Sequence, residues 1–418
     1  MTKHFKNETT YSLVLAFCVF AFFSIAHVVW SLTSIFFILV ITAIFFTVKQ
    51  SLFDKQFFEL KATSKEFIPL AYTIAALFLI AGALLMGRNS ESELNFLIGF
   101  LLTPLIYNMV RHNGVNFNAI HLGLIAFVCI ASVYNFHDYF IENKPRARGT
   151  IIVKTILTGN IFAIAAIYFL ANLKLSDLRK NFRSNFLYLL LAFIALINVY
   201  LSGSKSPLLF LLIMAGFYFL YLKLWKKPKA LGFIALALVV LVSLNTLDNK
   251  QVLAKRVSFA MNSLSSYLAG DLVAKESSTG LRFELWKAGW IIFKQSPIYG
   301  TSKPNVKLEM YHLADTGEIV NTARASLHLH TDIMDVGTQY GLLGLLFYFS
   351  VIGYMFKTFW SYRKRLTTQQ KVLLTNYSTG IIIFGLTDSL FSQLFSHSLI
   401  FWGTPIIIAS MKYHYEKL

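Results

Sequence analysis

Residues 186–224 read FLYLLLAFIALINVYLSGSKSPLLFLLIMAGFYFLYLKL, two apolar runs joined by the polar break SGSKSP at 202–207. Each run approaches the roughly 20 mostly apolar residues that an α-helix needs to cross a bilayer. The whole chain is similar: it is 56% hydrophobic and only 14% charged, with a mean hydropathy of +0.59. Soluble domains contain roughly a quarter charged residues. The sequence therefore predicts an all-α, polytopic integral membrane protein.

Apolar runs of this length predict about twelve transmembrane helices. They lie near residues 11–29, 31–48, 67–87, 94–110, 117–134, 150–170, 186–201, 207–224, 230–246, 337–356, 372–388 and 395–411. The chain then divides into helices one to nine at 1–246, a long loop at 247–336, and helices ten to twelve at 337–418. Because structureless loops of such length are uncommon, we expect the long loop to be folded and functional.

Two segments of the long loop have the spacing of amphipathic helices. Leu281–Phe293 reads LRFELWKAGWIIF, and Val252–Leu268 is a second candidate. We expect the first to lie on or in the membrane face, with its aromatic side chains at the level of the lipid headgroups. The loop is therefore predicted to be partly helical.

The positions of the positive charges predict the orientation of the chain in the membrane and the partner that these charges contact. With both termini placed in the cytoplasm, most of the 38 lysines and arginines fall in inner segments, as the positive-inside rule requires. The long loop then lies on the outer face. A net charge of +18 can also indicate nucleic-acid binding. Here the cations form short clusters between apolar runs, so we expect contact with membrane lipids and not with nucleic acid.

Motif searches exclude several kinds of chemistry. The sequence contains no P-loop, no Gly-rich dinucleotide turn, no CxxC and no HExxH. An ATP-driven or redox reaction is unsupported, and no cofactor is expected. Cys18 and Cys129 both lie within apolar runs, where small core residues are more common than a disulfide or metal pair.

The stretch LHLHTD at 327–332 contains the main catalytic candidate, His330. Its HxHxD pattern is similar to that of dinuclear zinc hydrolases, but those need a further histidine where Ile333 stands, so no metal is expected. Imidazole titrates close to neutral pH, which suits a general base. The alternative is a hydrogen-bonded structural histidine at a helix start, which fits His328 better than His330. The following glycines, Gly337, Gly341 and Gly344, most simply permit close helix packing.

Cationic and acidic side chains at the predicted outer ends are further candidates. Arg282 follows a Ser-Ser-Thr-Gly cap that would open a helix, and a helix N-terminus with an arginine suits an anion such as phosphate. Lys205, between small hydroxyl residues, could hold a phosphate or simply snorkel from a tight turn. Asp388 ends the eleventh span, as a functional acid or an ordinary helix-end acid. Arg146 and Arg148 could extend the basic surface or contact headgroups.

These residues together predict a transfer reaction on an anionic, membrane-embedded donor. Two or three cations would neutralise a pyrophosphate leaving group, and a histidine would deprotonate an attacking hydroxyl. A polyprenyl pyrophosphate already has a good leaving group, so no nucleotide would be needed. A transporter or flippase, the alternative of a different class, would place charges deep within the bundle, whereas these spans are nearly free of charge. A structural protein of the cell envelope is the remaining alternative.

Two stretches of the long loop resemble the O-antigen ligase and polymerase family of membrane glycan transferases. STGLRFELW at 278–286 is similar to the family's loop segment with a functional arginine, which falls on Arg282. HLHTDIMDVGTQYGLLG at 328–344 is similar to the family's signature of a histidine followed by spaced glycines, and the family's catalytic histidine falls on His330. The arrangement of about twelve helices, with a large loop between the ninth and tenth, is also similar.

Two further sites bear on the resemblance. GLTDS at 385–389 is similar to an acidic site near the family's last outer turn, which gives Asp388. Family members usually have an arginine in the outer turn after the seventh span, and this sequence has Lys205 there. The positive charge is retained, but the bidentate geometry of a guanidinium is lost.

The resemblance implies both an activity and a location. The expected reaction transfers O-antigen from undecaprenyl pyrophosphate to the lipid A–core oligosaccharide, without metal or ATP, at the periplasmic face of a Gram-negative inner membrane. The implied roles are general base for His330 and pyrophosphate binding for Arg282 and Lys205. A ligase is favoured because the chain lacks the long C-terminal extension of protein-glycosylating relatives. A polymerase of the same family is the nearest alternative.

Overall fold

A computed structural model describes residues 16–17, 19–20, 66–86, 91–113, 117–144, 146–147, 155–173, 181–221, 252–390 and 403–416. Within these ranges the protein is all-helical, as predicted. The thirteen α-helices described are α1 (Phe67–Met86), α2 (Glu91–Asn113), α3 (Phe117–Phe136), α4 (Thr155–Ala171), α5 (Phe182–Ser202), α6 (Lys205–Tyr221), α7 (Val252–Leu268), α8 (Leu272–Glu276), α9 (Gly280–Gln295), α10 (Lys303–Asp315), α11 (Asp332–Tyr362), α12 (Thr368–Thr387) and α13 (Thr404–Glu416). A π-helical turn, His137–Ile141, follows α3, and a 3-10 turn, Asn321–Ala325, precedes α11.

Most predicted helices in the described ranges are present, with shifted ends. α6 begins at Lys205, so the lysine predicted in a turn is the first residue of a helix. α11 begins at Asp332 and not at residue 337, which moves the end of the long loop back. Predicted spans at 11–29, 31–48 and 230–246 lie outside the described residues, apart from helical positions 16–17 and 19–20. The total of twelve spans stays a prediction.

Four helical segments within the described ranges are long and apolar enough to cross a membrane. They are Phe67–Leu84, Phe117–Ile141, Phe182–Ser202 and Asp332–Tyr362. Shorter apolar helices, Phe96–Arg111, Ile156–Ala171 and Lys205–Leu220, stand beside them. Several apolar helices of this kind indicate a multi-pass membrane protein.

The apolar helices share one core. α4 packs against α5, α6 and α12, while α2 packs against α1 and α13. Large side chains such as Tyr168 and Phe162 are fully buried there. Polar links also cross this core; in one of them, Asn135 of α3 donates to the Asn198 side chain of α5 at 2.6 Å. Such hydrogen bonds hold helices together where no water competes for them.

The long loop has a second, smaller core of its own. Leu285, Ala288 and Ile292 on one face of α9 pack against Val306 and Met310 of α10. The predicted helix at Leu281–Phe293 is confirmed as α9, and the one at Val252–Leu268 is confirmed as α7. The described part of the loop is thus folded, as the sequence predicted.

The long loop contacts the apolar bundle at a break in α11. Gly341 has φ 65° and ψ −158°, so the helix is interrupted there. The turn 296–301 lies against the break: the Pro297 carbonyl accepts from the Leu342 N–H at 2.8 Å, and the Thr301 N–H donates to the Thr338 carbonyl at 2.7 Å. The sequence predicted close helix packing at the glycines, and the structure adds that Gly341 ends one helical segment and starts another.

Candidate active site

The loop before α11 holds His330 in an uncommon backbone conformation. His330 has φ 59°, in the left-handed region that residues other than glycine rarely occupy. Such conformations cost on the order of 1–3 kcal/mol and persist where neighbouring contacts impose them. Before it, the Leu329 N–H donates to Asp335 Oδ1 at 3.0 Å. After it, the Thr331 hydroxyl donates to the Gly385 carbonyl at 3.0 Å. Hydrogen bonds therefore hold the residues on both sides of His330 in place.

The His330 imidazole faces Asp388, the residue that follows the last residue of α12. His330 Nδ1 lies 3.3 Å from Asp388 Oδ1, and the Ser389 N–H donates to the same oxygen at 2.9 Å. Burial opposes ionisation of Asp388, but the hydrogen bond from His330, the two nearby imidazoles and the Ser389 N–H together lower its pKa to about 2. An ionised carboxylate only accepts hydrogen bonds, so Nδ1 donates and Nε2 keeps the lone pair that a general base needs.

His328 completes a compact cluster with these two residues. Its ring lies edge-to-face with that of His330, with centroids 4.3 Å apart. One ligand atom each from His328, His330 and Asp388 lies within 4.8 Å of the others. Two imidazoles and a carboxylate are a donor set that suits a metal such as Zn²⁺. The structure therefore supplies a third ligand that the sequence did not suggest, and the expectation of a metal-free site stays a prediction.

Asp332 is not the third member, although it completes the HxHxD pattern. It is fully buried, and the Tyr348 hydroxyl donates to its Oδ2 at 2.9 Å. A Cβ added to Gly385 would lie 2.4 Å from that same oxygen. Asp332 therefore belongs to the contact between α11 and α12, and the carboxylate near the histidines comes from Asp388.

The residues 202–206, here called the Lys205 turn, lie beside the Asp388 end of α12. Gly203 ends α5 with φ 57°, and α6 begins two residues later. The Ser206 hydroxyl lies 2.6 Å from the Thr387 hydroxyl, the residue before Asp388. The start of α6, with Lys205 as its first residue, thus lies against the Asp388 end of α12.

Arg146 holds the Lys205 turn from the other side. Its Nε donates to the Ser202 carbonyl at 2.9 Å and its Nη2 to the Ser204 hydroxyl at 2.8 Å. The next residue, Ala147, donates its N–H to the Leu201 carbonyl at 3.0 Å. Arg146, predicted only as part of a basic surface, therefore also shapes this turn. Arg148, predicted with it, lies outside the described residues.

Arg282 lies on α9, which packs against the start of α11. A Cβ added to Gly289 would approach Leu329 and Met334 at 3.0 and 3.3 Å, so this face of α9 meets the histidine loop. Arg282 is on the same face, seven residues or about 10 Å earlier along the helix. The predicted cap is confirmed at Ser277, whose hydroxyl accepts from the Gly280 N–H at 3.1 Å. No contact with the His330 cluster is formed by Arg282 in the described part of the chain.

This region is similar to known proteins. Residues 190–349 match the model of a family described as O-antigen ligase. The chain is also 28% identical over 263 residues, 61% of its length, to the O-antigen ligase of Escherichia coli K12.

Over residues 190–349, the chain is thus similar to the O-antigen ligase family. A protein of Haemophilus influenzae, itself uncharacterised, is 24% identical over 170 residues, 40% of this chain. The chain spans about half the length of the curated relatives it matches, 54% of the first and 42% of the second.

The part that matches the O-antigen ligase family contains much of the site. Lys205, Arg282 and His330 fall within it, whereas Arg146 and Asp388 lie outside. The tertiary structure therefore adds an acid and an arginine that the matched segment does not include.

Sequence reasoning missed two acids that shape this region. Asp335 binds the Leu329 N–H; the acidic first turn of α11 is a sequence signal for a helix start but not for this contact. Glu284, two residues after Arg282, accepts from the Tyr267 hydroxyl and the Val320 N–H, each at 3.2 Å. Burial, with the charge of Glu284, raises the pKa of Tyr267. The family-like segment of α9 is therefore also a structural junction of the loop.

Proposed function

We propose that the protein is an O-antigen ligase, which transfers a glycan from undecaprenyl pyrophosphate to lipid A–core at the periplasmic face of a Gram-negative inner membrane. The observation that supports this most is the contact between His330 and Asp388, next to the Lys205 turn at the ends of apolar helices. A base and a cation at the end of a membrane bundle suit a donor whose lipid is in the bilayer and whose glycan is outside it.

In the proposed reaction, His330 Nε2 removes the proton from an acceptor hydroxyl. The acceptor oxygen bonds to the anomeric carbon of the donor sugar as the bond from that carbon to the pyrophosphate oxygen breaks. Asp388 stabilises the imidazolium that forms, and the proton leaves later to solvent or to the departing pyrophosphate. Undecaprenyl pyrophosphate departs with the electron pair of the broken bond.

The cations would stabilise the negative charge of the leaving group. Lys205 stands at the N-terminus of α6, where the helix dipole also favours an anion. Arg282 would approach from α9, and its half-buried position leaves it able to reach a bound donor. Arg146 would act through the Lys205 turn, as a positioning residue.

The deciding experiment uses purified protein with undecaprenyl-pyrophosphate-linked glycan and lipid A–core, with a chelator and without nucleotide. We expect a glycan-bearing lipid A product that is lost in His330→Ala. His312→Ala is the matched control, because His312 is an exposed histidine of the same loop, and it should retain activity.

Other results of this experiment would indicate a different mechanism or a different function. Activity that the chelator abolishes would assign His328, His330 and Asp388 to a metal. Longer polyprenyl-linked chains would identify a polymerase. Movement of a labelled lipid-linked sugar across a vesicle membrane without transfer would indicate a flippase. Normal transfer by His330→Ala would remove this histidine from the mechanism.

A further inference from the structure

The turn 296–301 presents apolar side chains outward although its backbone is fixed to α11. Ile298 is 52% exposed and Tyr299 is 47% exposed, and Trp290, two turns earlier on α9, is 53% exposed. The turn's backbone is bound to both sides of the break at Gly341, within a segment that is apolar and long enough to cross a membrane. A rigid tip with exposed apolar side chains beside such a segment faces lipid more readily than water.

The helices on either side of this tip, α9 and α10, each contain a lysine near an aromatic ring. Lys294 Nζ lies 5.4 Å from the centroid of the Trp290 ring, and Lys307 Nζ lies 6.0 Å from that of Tyr311. Lys303 begins α10 directly after the turn. Aromatic rings with lysines reaching past them are typical of the boundary between acyl chains and headgroups. Because the lysines border the apolar tip, it suits the headgroup boundary better than the middle of the bilayer.

We propose that Trp290, Lys294, Ile298, Tyr299 and Lys303 form an interfacial anchor of the long loop. Its apolar side chains enter the outer edge of the acyl region, and its lysines bind anionic phospholipid headgroups. The leaflet in question is the periplasmic one, which rests on the proposed topology; the lipid contact itself does not depend on glycan transfer.

The anchor gives the candidate site a fixed height above the acyl chains. The turn is bound to Thr338 and Leu342 of α11, and α11 begins two residues after His330. A pyrophosphate attached to a membrane lipid can occupy only a narrow layer near the surface. If the anchor fixes the histidine loop relative to the same boundary, the loop stays at the depth where the pyrophosphate of the donor lies.

Depth measurements test the apolar half of the proposal. In the full chain with Cys18→Ser and Cys129→Ser, a fluorophore is attached at Ile298→Cys and, independently, at Tyr299→Cys, in lipid nanodiscs with one chain each. Leu212→Cys on α6, which is 72% exposed within an apolar helix, is the lipid control. Glu318→Cys, with a side chain 56% exposed in the loop, is the water control.

We expect nitroxide lipids to quench the fluorophore at 298 and 299 nearly as much as at 212, and several-fold more than at 318. Quenching no greater than at 318 would overturn the anchor. A second copy of the chain could cover the tip in place of lipid. In that case lipid quenching would be weak with one chain per nanodisc, and the label would be shielded from water-soluble quenchers only when two chains share a nanodisc. That result would also overturn the anchor.

The anionic half is tested with vesicles of defined composition. For the label at 298, we expect quenching to increase when phosphatidylglycerol replaces part of the phosphatidylcholine, and the increase to shrink at high salt. Lys294→Gln with Lys303→Gln should abolish the increase, whereas Lys275→Gln, on α8, should keep it. Equal quenching in both lipid compositions would overturn the proposed contact between the lysines and anionic headgroups. Because none of these readouts requires transfer, they can fail while the ligase proposal stands, or hold if it falls.

Discussion

At the scale of single residues, His330 combines a strained backbone with a paired side chain. The sequence pointed to this histidine because imidazole suits a general base and because the residues around it resemble a family signature of a histidine followed by spaced glycines. It could also place Asp388 on the same face from the number of intervening spans. It could not show that the two touch, because 58 residues separate them and their contact depends on how α11 packs on α12.

The ionisation of Asp388 gives a prediction for the pH dependence of transfer. The carboxyl pKa is depressed to about 2, so the anion is present above the ordinary pKa of an aspartate and is lost only as the pH falls toward 2. The acid limb of the rate profile should therefore reflect one protonation, that of an imidazole. A steeper, two-proton limb in this range would contradict the ionised Asp388.

Replacing the carboxylate tests the same contact directly. Asp388→Asn keeps the size of the side chain but removes the charge that stabilises an imidazolium, so transfer should fall about 100-fold or more at every pH. Asp315→Asn, an exposed acid of the long loop, is the control and should be unchanged. A small effect in Asp388→Asn would mean that His330 works without an anionic partner.

Asp335 should matter for the rate although it is not expected to touch the substrate. Its Oδ1 accepts from the Leu329 N–H, and a displacement of about 1 Å at a reacting group can lower a rate about 100-fold. Asp335→Ala should lower kcat about 10- to 100-fold with little change in KM, and Asp335→Asn, which keeps the acceptor oxygen, should restore most of it. If Asn is as poor as Ala while both proteins accumulate normally, the charge and not the acceptor is required.

At the scale of secondary-structure elements, the glycines after His330 have a role that periodicity does not reveal. An uninterrupted apolar pattern predicts one continuous helix over residues 337–356. The structure breaks α11 at Gly341 because the turn 296–301 approaches there backbone to backbone. Such an approach depends on two segments about 40 residues apart in sequence, a separation that helical periodicity does not report.

The break predicts which glycines of α11 can be replaced. In Gly341→Ala, the added Cβ would lie 2.3 Å from the Ile298 carbonyl oxygen, in a residue with φ 65°. Crowding and the left-handed backbone together should cost about 3 kcal/mol or more. Gly353→Ala, in the same helix with nothing within 4 Å of the new Cβ, should be neutral or slightly stabilising. Thermal unfolding of the two variants in detergent makes the comparison, and equal midpoints would contradict the break.

At the scale of the whole molecule, a second polar cluster lies far from the site. The Glu66 carboxylate accepts from the Tyr107 hydroxyl, pairs with Arg111, and lies 3.2 Å from Lys412 Nζ. Lys412 also donates to the Tyr354 hydroxyl at 3.0 Å. One acid thus links the start of α1 to α2, α11 and α13.

The two clusters lie on either side of the break in α11. The His330 cluster adjoins the start of α11, whereas Tyr354 lies 22 residues after Asp332, beyond Gly341. The positive-inside rule predicts Arg111 and Lys412 on one side of the membrane and Lys205 on the other, and this division stays a prediction. What the sequence could not supply was Glu66 as the shared partner, because an acid between apolar runs has no period to identify it.

The Glu66 cluster should contribute to stability and not to the chemistry. Its side chains are only 11–19% exposed in the two ion pairs, so Glu66→Ala leaves two cations without their anion. Removing one partner of a buried pair typically costs about 3–5 kcal/mol. We expect Glu66→Ala to lower the unfolding midpoint well below that of Glu276→Ala, which replaces an exposed acid on α8.

The double variant Glu66→Ala with Lys412→Met should recover part of the lost stability, because it also removes one of the two cations that Glu66 pairs with. If the double variant is no more stable than the single one, Lys412 contributes little to the link. Should Glu66→Ala abolish transfer while its unfolding midpoint stays unchanged, the two ends of α11 would have to be coupled through the helix itself.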